Sequence, residues 1–253
     1  MIHVAVSGAA GRMGGLICAA VAGATDLELV GAYDPVAGGE VCGVTVAAAP
    51  EALAGADVVV EFTTPDVVLD NLAHWRRLGA NAVVGTSGFD EARLAALRDA
   101  WGDGPPNCLV VPNFSIGAVL MMRLAEIAAP HFAAAEVIEL HHDRKADAPS
   151  GTALATAARI AAAAPNQRRT VESAELIPGA RGASASGVPV HAVRLPGLVA
   201  HQEVLLGNPG EWLTIRHDTT DRGVFVPGVL LGIRTVAGLP EPVTVGLEEV
   251  LGL

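Results

Sequence analysis

Only one lysine, Lys145, occurs in the 253 residues, and every other basic side chain is arginine. No Lys/Arg run is longer than a pair, and the formal net charge is −11. This excludes the basic footprint expected of a partner for nucleic acid or an anionic membrane. Aromatic residues make up just 4% of the chain against 51% hydrophobic overall. The core must therefore come from Val, Leu, Ile and Ala, which suits a parallel sheet covered by helices. The three cysteines, Cys18, Cys42 and Cys108, are odd in number and widely spaced. They fit neither a disulfide framework nor a zinc site. Each is expected to be a small apolar core residue in a reducing cytoplasm. No apolar run reaches the roughly 18 residues of a membrane span. The opening MIHVAVSG lacks a basic leader region and reads as a strand, so no signal peptide is expected.

What the chain does have begins at that strand. Residues 2–7 run into Gly8-Ala9-Ala10-Gly11-Arg12-Met13-Gly14 and then into a helical pattern through Ile17 and Val21. A glycine turn between strand and helix is the setting in which a dinucleotide fingerprint carries meaning. Gly8 permits the tight turn, and Gly11 lets the backbone approach a pyrophosphate favoured by the helix N-terminus. The spacing is G-x-x-G-x-x-G, a weaker match than G-x-G-x-x-G. The second strand, residues 27–33, ends at Asp34, 20 residues past Gly14, where a ribose-binding carboxylate is expected. Asp34 repels a 2′-phosphate and Pro35 follows it, which favours NADH. Arg12 can reach a phosphate, so NADPH stays open.

Strands and helices continue to alternate. Strands are expected over 57–63, 81–86 and 107–112, and helices over 65–78, with Pro65 in the first turn, 90–101 and 115–129. This is the pattern of a doubly wound parallel α/β sheet. Ligands of such sheets sit beyond the carboxyl ends of the strands. The polar ends Thr63-Thr64, Gly85-Thr86-Ser87 and Pro112-Asn113-Phe114-Ser115 fall there. Residues 135–141 then alternate like a strand with one wet face. A helix is expected over 153–164, a loop over 164–187, and strands over 188–194, 198–206 and 212–217. A helix over 222–236 follows, with Pro227 in or near its start, and a last strand over 243–245. Strands in succession after the alternating region indicate a second, mixed α/β domain. His191, His201 and His217 fall in its strands and read as face or interface residues rather than metal ligands.

The chemistry concentrates in one stretch, Glu139-Leu140-His141-His142-Asp143-Arg144-Lys145-Ala146-Asp147-Ala148-Pro149-Ser150-Gly151-Thr152. Lysine, unlike arginine, can donate a proton near neutral pH. A lone lysine beside two histidines suggests acid–base work on an acidic substrate. A period of two puts Glu139 and His141 on one face and Leu140 and His142 on the other, so the loop from Asp143 must bend for Lys145 to join them. Ser150-Gly151-Thr152 stands at a helix start, where hydroxyls and backbone N–H groups bind anions. Adjacent histidines are poor ligands for one ion, and no Cys or His-x-x-x-His completes a set, so no metal is expected. No Gly-x-Ser-x-Gly elbow indicates a serine hydrolase. What remains is hydride transfer from a nicotinamide, with a proton donor and cationic partners for a carboxylate-bearing substrate. An aspartate-semialdehyde dehydrogenase would need a catalytic cysteine at a helix start, which none of the three cysteines has. A cofactor sensor without turnover has no need of the H-H-x-x-K cluster.

At these residues the chain resembles the 4-hydroxy-tetrahydrodipicolinate (dihydrodipicolinate) reductase family, whose signature E-[LM]-H-H-x-x-K-x-D-A-P-S-G-T-A it carries. The likeness extends through VSGAAGRMG, VVEFTTPD, VVGTSGF, VPNFSIGAV, GVPVHAVRLPGLVAHQEV and TIRHDTTDRGVFVPGV, and is greatest to actinobacterial members. The resemblance implies a Rossmann-like nucleotide domain (residues 1–113 plus 223–253). It also implies a mixed α/β domain (residues 114–222) that binds substrate and forms a homotetramer through its sheet. It implies His141 and Lys145 as catalytic, with Lys145 the proton donor, and His142, Ser150, Gly151 and Thr152 as the holders of a small dicarboxylate. It assigns the cofactor, NADH or NADPH, to Gly8, Ala9, Ala10, Gly11, Arg12, Met13, Asp34, Gly85, Thr86, Ser87, Pro112, Asn113, Phe114 and Ser115. The implied reaction is the reduction that yields tetrahydrodipicolinate in the diaminopimelate route to lysine. Ser87 departs from the family pattern, where many relatives have Thr, but keeps the hydroxyl. Arg144 stands at an apparently variable position, where it adds charge to the pocket or faces water.

Overall fold

Residues 1–165 and 173–253 are described by a computed structural model and fall into two units, Met1–Ile116 with Arg222–Leu253, and Gly117–Asp221. In chain order the strands are β1 (Ile2–Ser7), β2 (Leu27–Tyr33), β3 (Glu40–Val41), β4 (Val44–Ala47), β5 (Val58–Glu61), β6 (Asn81–Val84) and β7 (Cys108–Val110). Then come β8 (Ala134–His141), β9 (Ala183–Ala185), β10 (Val188–Arg194), β11 (Ala200–Asn208), β12 (Glu211–Thr219) and β13 (Val243–Val245). The helices are α1 (Arg12–Ala22), α2 (Val68–Leu78), α3 (Glu91–Trp101), α4 (Ile116–Ala128), α5 (Gly151–Ala163), α6 (Val226–Thr235) and α7 (Glu248–Leu251).

The first unit is an eight-stranded sheet in the order β13-β7-β6-β5-β1-β2-β4-β3. All neighbours pair in parallel except the β3–β4 hairpin. The order reverses between β1 and β5, so the crevice of the doubly wound fold opens beyond Ser7 and Glu61. Both central strands read as unbroken apolar runs because both faces are covered: Val4, Ala5, Val6, Val58, Val59 and Val60 are all buried. One face packs on Val68, Leu72 and Trp75 of α2 and Leu97 and Trp101 of α3.

The second unit is a five-stranded sheet, β12-β11-β8-β10-β9. β8 and β10 are parallel, with α5 as the crossover, and the other pairs are antiparallel. One face buries Val137, Val190, Val204 and Leu206 against Ala153, Ala157 and Ile160 of α5. Small side chains at positions 153 and 157 let the helix lie close to the strands. On the other face Glu136, Ile138, Leu140 and Leu205 keep partial exposure, and Val193 is exposed. Among the described residues, no helix is long and apolar enough to cross a membrane.

Several expectations need correction. The strands over 57–63, 81–86 and 107–112 are shorter, because their last residues leave the sheet as the loops that carry polar groups. Pro65 does not open α2. Thr64 O accepts the amides of Val67 and Val68 in a turn, and the helix starts at Val68. The segment 222–236 begins as a 3-10 turn, Arg222–Phe225, with Pro227 near the start of α6. The expected loop over 164–187 includes β9, and its residues 166–172 lie outside the described residues. Cys42 is exposed in the β3–β4 turn with φ 50°, not in the core, whereas Cys18 and Cys108 are buried.

Candidate active site

In the first unit the glycine turn follows β1 directly. Gly8 has φ +79°, and a Cβ there would meet Phe62 O at 2.5 Å. Gly14, in the first turn of α1, lies so close to the turn that its Cβ would stand 2.1 Å from Gly8 O. Both positions require glycine, one for its backbone and the other for close approach. Gly11 is the N-cap of α1, and no side chain caps this helix. Its start is thus a set of backbone N–H groups for an anion. Ala9 is buried, Met13 is half-buried, and Ala10 and Arg12 are exposed along this loop and helix start. Ser7 Oγ, just before the loop, is buried without a hydrogen-bond partner.

Asp34 follows β2, and its Oδ1 accepts the amides of Val36 (3.0 Å) and Ala37 (3.1 Å). The carboxylate is therefore fixed by its own backbone. Gly85 N bonds to Glu61 O, Thr86 Oγ1 donates to the same carbonyl at 3.4 Å, and Ser87 is exposed. Beyond β7, Pro112 is exposed, and Asn113 Oδ1 accepts the amide of Ser115 at 2.9 Å. Phe114 is buried, with its ring 5.8 Å from that of Phe62. These residues sit on loops, or in the case of Arg12 and Met13 at a helix start, beyond the carboxyl ends of β1, β2, β6 and β7, so one rim gathers the residues expected to meet a cofactor.

In the second unit the reactive stretch spans the end of β8 and the start of α5. Glu139 is fully buried. Its Oε2 accepts His141 Nδ1 (2.6 Å) and Arg194 Nη1 (2.7 Å). Its Oε1 accepts Arg194 Nη2 (2.8 Å) and the amide of Ser150 (3.0 Å). Burial pushes the Glu139 carboxyl upward, but the bonds from Arg194, His141 and Ser150 outweigh it and hold its pKa below the ordinary value. Burial lowers the pKa of His141; Glu139 opposes this, and the charges of Lys145 and Arg194 add to it. The chain bends after β8, with the Lys145 amide bonded to His142 O, and Lys145 Nζ pairs with the Asp147 carboxylate at 2.7 and 2.8 Å. His142 is half-buried with Nδ1 unpartnered, and Arg144 is exposed. Ser150 caps α5, its Oγ accepting the Ala153 amide at 3.2 Å; Gly151 and Thr152 open the helix.

Arg194 was not among the residues singled out from sequence. Locally it is just the end of a strand. The parallel register of β10 with β8 sets it directly beside His141. The three histidines on the other strands of this sheet have structural surroundings: His191 bonds to Glu136 and His201 to Asp218, while the His217 ring packs against Gly117. No cluster of three metal-ligating side chains occurs among the described residues.

Comparison with known proteins gives a consistent picture. Residues 2–114 match the family described as "Dihydrodipicolinate reductase, N-terminus", and residues 117–251 match "Dihydrodipicolinate reductase, C-terminus". The chain is 53% identical to the 4-hydroxy-tetrahydrodipicolinate reductase of Cutibacterium acnes and 52% identical to that of Thermobifida fusca, each alignment covering 100% of both chains. It is also similar to the solved structure of a dipicolinate-bound dihydrodipicolinate reductase from Paenisporosarcina sp. TG-14. There the TM-score is 0.89 at 38% identity, covering 98% of this chain and 99% of that one.

Proposed function

The chain belongs to the dihydrodipicolinate reductase family, and from that premise we propose how its two units divide the work. The protein is an oxidoreductase of the lysine (diaminopimelate) route that reduces 4-hydroxy-tetrahydrodipicolinate to tetrahydrodipicolinate. The first unit binds the pyridine nucleotide through Gly8 to Met13, Asp34, Gly85 to Ser87 and Pro112 to Ser115. The uncapped start of α1 and the glycine-only contacts at Gly8 and Gly14 suit a pyrophosphate. Asp34 takes the ribose hydroxyls, and its anchored carboxylate favours NADH over NADPH. When bound, the reduced nicotinamide supplies a hydride.

The second unit holds the dicarboxylate and supplies the proton. Lys145, His142 and the start of α5 at Ser150, Gly151 and Thr152 offer charge-assisted partners for the ring's carboxylates. Loss of the 4-hydroxyl as water leaves the conjugated dihydrodipicolinate ring; hydride arriving there builds enamine-like electron density, and its carbon must take a proton. His141 donates its Nδ1–H to Glu139 in a hydrogen bond, and its lowered pKa keeps the ring neutral. Lys145 carries the available proton and delivers it. The observation that carries this reading is the convergence of His141, Arg194 and the capped start of α5 on the buried Glu139 carboxylate, with Lys145 on the loop that joins β8 to α5. The open face of the five-stranded sheet, with Ile138, Leu140, Val193 and Leu205, is the surface through which a homotetramer forms. The enzyme works in the cytoplasm, where its nicotinamide pool lies.

The test is a coupled assay in which the upstream synthase generates substrate and nicotinamide absorbance is followed. Lys145→Ala should lower kcat by about 10²–10⁴-fold, the usual worth of general acid help, with NADH affinity unchanged. Loss of NADH binding equal to the loss of turnover would remove Lys145 from its role. Absence of wild-type turnover would sink the assignment.

A further inference from the structure

We propose that Glu139 is a positioning residue: its buried carboxylate, locked by Arg194, fixes the His141 ring with its proton on Nδ1 and aligns the start of α5 with that ring. This rests on the reading of His141 as part of the reductase site and deepens it.

The geometry leaves little freedom. Each oxygen of Glu139 meets two donors, one of them from the Arg194 guanidinium. An ionised carboxylate only accepts, so the ring nitrogen facing it must carry the hydrogen. Nε2 is left as the nitrogen with a lone pair. The fork of Arg194 is itself held, with Nη1 on Val193 O (2.8 Å) and Nη2 on Asp147 O (2.6 Å). Arg194 also matters for charge. A buried carboxylate facing only a histidine would favour the imidazolium. With the guanidinium already compensating Glu139, the ring needs no charge of its own. The charged groups around the ring are Glu139 on its own strand, Arg194 on β10 and Lys145 on the following loop, where Lys145 is paired with Asp147. The two nearby cations disfavour a third, in keeping with the direction of the His141 pKa. The same Oε1 that takes Arg194 Nη2 also takes the Ser150 amide, so one side chain sets both the imidazole and the anion-binding end of α5.

Glu139→Gln tests this sharply. All four donors stay in place, but the amide brings a donor of its own. Facing Ser150 it would oppose an N–H that cannot turn away. Facing His141 it is accommodated if the ring moves its proton to Nε2 and accepts at Nδ1. The experiment is ¹⁵N NMR of histidine-labelled enzyme, with the His141 signals assigned through His141→Asn, together with kcat and NADH affinity. Expected are an Nδ1–H ring in the wild type, an Nε2–H ring in Glu139→Gln, and a fall in kcat of about 10²-fold with NADH affinity unchanged. The wild-type spectrum decides the first point even if the variant fails to fold. A wild-type ring protonated on Nε2, or a variant ring still protonated on Nδ1, overturns the inference and leaves the reductase reading standing. A flipped ring with unaltered kcat overturns it as well. An Nδ1–H ring in a wild-type protein without turnover overturns the reductase reading and, with it, the catalytic half of the inference.

Discussion

Glu61 is a fully buried carboxylate in the middle of the parallel sheet, and among the described residues no cationic side chain pairs with it. It is held by neutral donors: Trp75 Nε1 at 2.8 Å on Oε2, and Asn71 Nδ2 at 3.2 Å with the Thr63 hydroxyl on Oε1. Trp75→Phe removes the only donor to Oε2 among the described residues and keeps an aromatic ring against Tyr33, whose centroid lies 6.0 Å away. A hydrogen bond to a charged group contributes about 1.5–3 kcal/mol. The smaller ring adds roughly 1 kcal/mol of lost packing. The expected destabilisation of the first unit is therefore roughly 2.5–4 kcal/mol. In a Glu61→Gln background the same substitution removes only a neutral bond, worth about 0.5–1.5 kcal/mol, and the cost drops to roughly 2 kcal/mol. Urea unfolding followed by circular dichroism measures both steps without depending on the lost indole. Equal losses in the two backgrounds would show that the charge of Glu61 is not what the indole satisfies, and the reasoning would fail.

Two further outcomes follow from burial and charge. Native protein should expose one thiol, Cys42, to an aromatic disulfide reagent, and three after denaturation. Cys18 and Cys108 are buried, and burial pushes the Cys18 pKa up to about 12 and that of Cys108 up as well; two fast thiols in the native protein would contradict this. The second unit should lose stability in acid. Glu139 has a folded pKa below the ordinary value of about 4.3. It therefore stabilises fully above that pH, and this stability is lost as pH falls through the lower folded value. The lowered pKa of His141 acts in the same direction below its ordinary value of about 6.5. Glu139→Gln should flatten the acid limb of a stability–pH curve, and an unchanged slope would count against the buried ion pair as its source.

Much of this was legible in the sequence, for reasons that can be named. The glycine turn is a local steric device, so Gly8 and Gly14 announce themselves. A period of two placed Glu139 and His141 on one face, and they meet through a 2.6 Å contact. Other features depend on what is far away in the chain. Arg194 reaches Glu139 only because β10 pairs with β8 in parallel, a register that nothing near residue 194 encodes. Cys42 was misread because composition treats cysteines alike, whereas this one occupies a turn with φ 50°. The hairpin of β3 and β4 was missed because two and four residues are too few to display a period.

The return of the chain after Asp221 has a consequence for biogenesis. β13 closes the far edge of the eight-stranded sheet against β7, and Asn107 Nδ2 bonds to the carbonyls of Val236 and Leu239. The nucleotide-binding half thus lacks its last strand and part of its packing until residues 236–245 have been made. The inserted half has all its segments by residue 221. Since domains generally fold as units during synthesis, the segment translated in the middle is the first to be complete, and the segment begun first is the last.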